Sequence, residues 1–292
     1  MPSTRDIRRR IKSVKNTAQI TKAMQMVASS KMRKAQLAAL AGRPYATLMN
    51  TMMADVAADA TDFTHPLMEK RAAKKRCVVL ISTDKGLCGA LNSNLTREAF
   101  KFDKDTTVFV CAGKKGAQFI GRNKRKLAAE FTYKDAPLFA EARAISRFVQ
   151  DLFLKGEADS VEVLYTNFVS TLVQKPETQP LLPIGELKGV QAGVHGHETS
   201  VALETSGVAF QFEPGADAVL GALLPHYLNF QIYQILLEAK ASEQSSRMVA
   251  MKNATDNAKQ LIKDLTLEYN KLRQANITKE LLEITTAQMA LG

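Results

Sequence analysis

The chain has 292 residues, 46% of them hydrophobic and 24% charged, with a formal net charge of +11. That length and balance suit one or two folded domains and exclude a disordered or collagen-like polypeptide. Cys77, Cys88 and Cys111 form no CxxC pair, which excludes a disulfide framework and points to buried free thiols in a reducing compartment.

Residues 4–55 read as one helical segment. Ile7, Ile11, Val14 and Ala18 step by helical intervals, and Ile20, Met24, Val27 and Met32 carry a similar stripe onward. Ser3 and Thr4 stand ready as N-caps, with Asp6 in the first turn, where a negative charge suits the helix dipole. Gly42-Arg43-Pro44 predicts a kink or break, after which the pattern resumes through Leu48, Met52 and Val56. Residues 1–54 hold eleven Lys/Arg against the single acid Asp6, so nearly the whole basic excess lies on this segment. Such a segment asks for an acidic partner: nucleic acid, an anionic membrane surface, or acidic loops of another protein.

Residues 75–212 change period. Strand-like runs at 77–83, 106–112 and 160–169 alternate with helical stretches at 92–101, 117–122 and 140–156. This alternation predicts an α/β domain with a largely parallel sheet. The segment after Phe168 alternates and ends in a proline-rich loop, and 186–207 reads as loop or short strands.

Residues 217–286 read as a second long helix, about 90 Å if 60 residues are continuous. Its stripe thins to Ala239, Ser242, Ser246, Ala250 and Ala254, small side chains that let two helices approach closely. Surface pairs on a helix contribute only about 0.2–0.5 kcal/mol each, so neither terminal helix stands alone. Wrapped about each other they form an antiparallel coiled coil. The uncharged run 218–237 has the length of a bilayer span, but Pro225, His226, Asn229, Gln231 and Gln234 interrupt it, so it is read as a partly buried helix. The expected division is 1–58, 75–212 and 215–292: a helical arm, a Rossmann-like α/β domain and a second helical arm.

Candidate chemistry is sparse. Two glycine-bearing turns follow strands, DKGLCG at 84–89 and GKKG at 113–116, with Lys85, Lys114 and Lys115 available to attract phosphate. Neither matches GxGxxG or GxxxxGK[ST]. His195, His197 and Glu198 lie close in sequence without a fourth metal donor nearby. No nucleophile–base–acid spacing is legible. The expectation is no catalytic residue, no metal and no cofactor. A basic coiled-coil nucleic-acid binder is the alternative, but residues 1–44 carry no aromatic side chain among their charges.

Three blocks are more specific. TRDIRRRIKSVKNTAQITKAMQMVASSKMRKAQ (4–36), ISTDKGLCGALNSNL (81–95) and SEQSSRMVAMKNATDNAKQLIKDLTLEYNKLRQANITKELLEI (242–284) resemble, in order, the signatures of the γ-subunit family of F-type ATP synthases. The resemblance implies a non-catalytic rotor shaft, in single copy, inside the hexamer of α and β subunits. It further implies contacts of the central domain with the ε subunit and the membrane ring of c subunits, and no nucleic acid. Lys22, Met24, Arg33 and Lys34 match the basic helix that faces acidic loops of β. Arg273 and Gln274 match residues that hydrogen-bond to a loop of β. The implied location is peripheral, on the cytoplasmic face of a bacterial plasma membrane. Ala287 stands where the family's tail commonly has glycine, and no inserted loop with a regulatory cysteine pair is present.

Overall fold

The computed structural model describes residues 3–59, 65–72, 74–184, 213 and 215–291. The elements are α1 (Thr4–Ala41), α2 (Arg43–Asp59), β1 (Arg76–Ile81), α3 (Leu91–Phe100), β2 (Thr107–Ala112), α4 (Lys114–Arg122), β3 (Lys126–Phe131), α5 (Phe139–Leu154), β4 (Ser160–Phe168), β5 (Gln174–Leu182) and α6 (Ala216–Leu291). They divide into two compact units, Met1–Val27 with Met248–Gly292, and Ala28–Arg247.

The larger unit is built on a five-stranded sheet of order β3-β2-β1-β4-β5. β1, β2, β3 and β4 pair in parallel, and β5 joins β4 antiparallel. β1 is apolar on both sides, as a covered parallel strand must be. Its Cys77, Val79 and Ile81 enter one core with α5, α2 and the 220–239 stretch of α6. Its Val78 and Leu80 enter the other with α3 and α4. The expected α/β class with a largely parallel sheet is therefore observed.

One strand, β3, escaped the sequence reading, and a second, β5, was read only in part, as an alternating segment ending in a proline-rich loop. β3, KLAAEF, has no β-branched residue and is exposed or half-buried throughout, so its apolar pattern is faint. β5 contains Pro176 and Pro180, which read as loop. An edge strand tolerates proline because one row of its N–H groups needs no partner, and β5 lies at the sheet edge.

The predicted break at 42–44 falls between α1 and α2. Gly42 packs closely there: a Cβ would come 2.3 Å from Nε2 of Gln234, a buried side chain on α6 that would have to shift. Pro225 lies inside α6 without ending it. No described helix is long and apolar enough to cross a membrane.

The smaller unit is a pair of helical stretches. Arg8 on α1 donates to the Tyr269 hydroxyl, its guanidinium 5.3 Å from the ring centre, while Thr21 meets Thr255 hydroxyl to hydroxyl at 2.7 Å. As α1 advances α6 falls back, so the pair is antiparallel. Its buried seam is narrow: Ile7, Thr21, Met251, Thr255, Ala258 and Leu265.

Candidate functional site

Within the smaller unit, Lys22 is exposed and Met24 half-buried on α1, one and three residues past the buried Thr21. Arg273 and Gln274 are exposed on α6. Carrying the Arg8–Tyr269 register back to Thr4, the first residue of α1, brings it level with about Arg273. The two groups are thus not brought together: Lys22 comes level with about Ala254, some 28 Å along α6 from Arg273 at about 1.5 Å per residue. From Gln274 onward α6 has no part of α1 beside it. There Ile277, Leu281, Leu282, Ile284 and Met289 are all exposed, Met289 at 84%.

Within the larger unit, Arg33 and Lys34 are exposed on α1 while Met32 and Ala35 turn inward against Phe168 and Ala241. Helical spacing separates the two faces.

The turns considered for phosphate are occupied by the protein itself. At the N-terminus of α4 the backbone N–H of Lys114 donates to Asp84 Oδ1 at 3.0 Å, that of Lys115 to the Thr83 carbonyl at 3.0 Å, and that of Gly116 to Ser82 Oγ at 2.7 Å. Those are the donors an anion would need. Gly113, at φ 108°, serves close packing instead: a Cβ would stand 2.1 Å from the Ser82 carbonyl oxygen. His195, His197 and Glu198 lie outside the described residues. Among the described residues no three His, Cys, Asp or Glu side chains gather as metal ligands. The three cysteines are buried and unpaired, and burial pushes the thiols of Cys77 and Cys111 up to about 12.

In open α/β sheets the ligand crevice lies outside the carboxyl ends of the strands, where the strand order reverses. Here that place is between β1 and β4, and α6 fills it. Ser246 Oγ donates to the Cys88 carbonyl at 2.7 Å, Ser245 Oγ to the Thr171 carbonyl at 2.8 Å, and Arg247 Nη2 to the carbonyls of Lys85 and Gly86 at 3.3 and 3.2 Å. Two of the sequence blocks, 81–95 and 242–284, therefore meet in space. Ser246, read from sequence as part of a seam for a second helix, turns instead to the loop after β1, and Ser242 is fully buried.

A line of alternating charges crosses the same region. Lys31 of α1 reaches Asp135 at 2.5 Å, and Asp135 reaches Lys240 of α6 at 3.2 Å. Lys240 reaches Glu243 at 2.9 Å, and Glu243 reaches Arg247 at 2.7 Å. Lys240 and Glu243 are almost wholly buried, with side-chain exposures of 5% and 4%. Lys240 Nζ also lies 5.2 Å from the centre of the Tyr133 ring, whose hydroxyl donates to the Ser82 carbonyl at 3.0 Å. The Lys31 hydrogen bond, with both lysine charges, holds the Asp135 carboxyl down at about 2. None of Asp135, Lys240, Glu243 or Arg247 was singled out from sequence. The one local signal was the spacing of 240, 243 and 247 on a helix otherwise short of charge there.

The ATP synthase family model matches residues 3–291. The ATP synthase γ chain of Opitutus terrae is 52% identical over 298 residues, covering 99% of each chain. That of Methylacidiphilum infernorum is 47% identical over 297 residues and covers both chains fully. Among solved structures, the central stalk and c-ring of the Tetrahymena thermophila mitochondrial ATP synthase contains a chain 27% identical, with a TM-score of 0.61, covering 80% of this chain and 99% of that one. A chain of the Euglena gracilis mitochondrial ATP synthase, 21% identical with a TM-score of 0.67 over 99% of this chain and 94% of its own, shares the fold. The chain belongs to the γ-chain family of ATP synthases. Neither relatives nor structures support the nucleic-acid alternative.

Proposed function

We propose that this chain is the rotor shaft of an F-type ATP synthase, coupling ion-driven rotation of a membrane ring to the conformational cycle of catalytic β subunits. It supplies no catalytic residue; its part is to bias which conformation each β site occupies. The observation that carries this reading is the bare end of α6. A single helix in water that exposes Ile277, Leu281, Leu282, Ile284 and Met289 gains stability only from an apolar surround. A collar at the top of an α and β hexamer supplies that surround.

Arg33 and Lys34, with Lys22 and Met24, face the acidic loops of β. Arg273 and Gln274 latch to a β loop where α6 leaves its partner helix. The α/β body sits by the ε subunit and the c ring, which places the chain peripherally on the cytoplasmic face of a bacterial plasma membrane. The three working parts are 1–58, 75–212 and 215–292. Bacterial γ-chain relatives at 52% and 47% identity over nearly the whole length support the assignment.

The test is charge reversal. The double variant Arg33→Glu/Lys34→Glu, assembled with its α and β subunits and reconstituted with the membrane sector in vesicles, keeps ATP hydrolysis. Proton pumping per ATP falls about tenfold, as expected for two lost attractions turned into repulsions. Proton-driven ATP synthesis at the parental rate overturns the contact.

A further inference from the structure

The line of charges has a feature that a merely stabilising network does not need. Its middle member, Asp135, lies on the loop between β3 and α5 and takes a lysine from each helix, Lys31 from α1 and Lys240 from α6. These are the two helices that contribute residues to both compact units. Beside this point α6 is held again by the carbonyls of Lys85, Gly86, Cys88 and Thr171. The α/β body therefore grips one helix by directional hydrogen bonds and joins both helices through one carboxylate.

Apolar contacts resist separation but slide easily about a helix axis, being non-directional. Charge-assisted bonds from fixed loops resist rotation, because their energy falls with angle as well as distance. Lys240 has its direction fixed three ways, by Asp135, Glu243 and the Tyr133 ring. Asp135 is half exposed and Lys31 41% exposed. Such a pair adds little to folding stability, while still fixing an angle.

We propose that Asp135 is a torque-bearing positioning residue, a carboxylate pin that locks the α/β body to both helices against twisting. This rests on the rotor reading above. The body is where a driving ring would apply force, and the pin sets how far it twists before the helices follow. Lys240 is the pin's buried anchor on α6 and Lys31 its exposed anchor on α1.

The experiment attaches a rotation probe to the α/β body of the assembled complex, with the hexamer fixed to a surface and rotation stalled between steps. In Asp135→Asn the variance of the probe angle rises about threefold, the scale of one half-exposed ion pair, and proton pumping per ATP falls while hydrolysis persists. Asp135→Glu restores the parental variance. Lys31→Gln, which touches only the exposed end, gives a smaller rise and serves should Asp135→Asn fail to assemble. A lowered melting temperature with unchanged angular variance reduces Asp135 to a structural residue and overturns the proposal. Failure of the rotor reading looks different: the parental chain then does not restore coupled turnover to a complex lacking its γ subunit.

Discussion

The two compact units solve the same problem, holding long helices in place, by opposite means. In Ala28–Arg247 a parallel sheet buries apolar side chains on both faces, and even a run of charges, Lys240, Glu243 and Arg247, is buried and paired. In Met1–Val27 with Met248–Gly292 the buried seam is one residue wide, and Ile20, Met26, Val27 and Leu267 are left more than half exposed. The first unit carries its stabilising contacts within itself. The second has apolar surface to spare, which is the property of a surface meant to turn against something else.

Glu243 gives the largest expected break in that contrast. Glu243→Ala leaves Lys240 and Arg247 buried without their shared carboxylate and lowers stability by about 3–5 kcal/mol. A urea titration of the full chain, read by circular dichroism, measures it; a midpoint shift below a quarter of the parental value contradicts the buried network. Glu238 comes next. Burial pushes its carboxyl up to about 8, against the pull of the Phe168 N–H and with the push of Glu177 on β5. The folded state keeps this proton over a range where the unfolded chain, with its ordinary value near 4.5, has lost it. Stability is therefore whole below pH 4.5 and declines as pH rises to about 8, by roughly 2 kcal/mol once solvent reach is allowed for. Glu238→Gln flattens that decline in thermal melts at pH 5, 7 and 9; an unaltered slope removes Glu238 as its source. The smallest effect sharpens the comparison from the other side. Leu281→Ala changes the stability of the isolated chain by less than about 0.5 kcal/mol, yet weakens assembly with the α and β hexamer in a pull-down titration. A large loss in the isolated chain would mean that the bare end of α6 has an internal partner.

Much of this architecture is written locally. The stripe Ile7, Ile11, Val14 and Ala18, the break at Gly42 and the apolar runs of β1, β2 and β4 follow from periodicity, because each reports a face that is covered; Ile20 and Val27, read as the same stripe carried onward, are exposed instead. β3 and β5 lie at the sheet edges, where burial is partial and proline is tolerated, so the same signal fades. The basic face with Arg33 and Lys34 is legible because ten excess charges concentrate in 54 residues. Asp135 is not, since Lys31 and Lys240 lie about a hundred residues to either side, and no spacing rule spans that distance. The partner of Ser246 was missed for a related reason: a small side chain announces close approach without saying to what.

The crevice between β1 and β4 carries a last implication. A diffusible guest fills such a cleft only to the extent that its concentration exceeds its dissociation constant, so the host follows the supply of the guest. The guest here is Ser245, Ser246 and Arg247, tethered to the same polypeptide and present at a fixed effective concentration. Occupancy is then indifferent to what the cell is making or spending, and a site whose geometry elsewhere reads metabolite levels becomes a permanent joint.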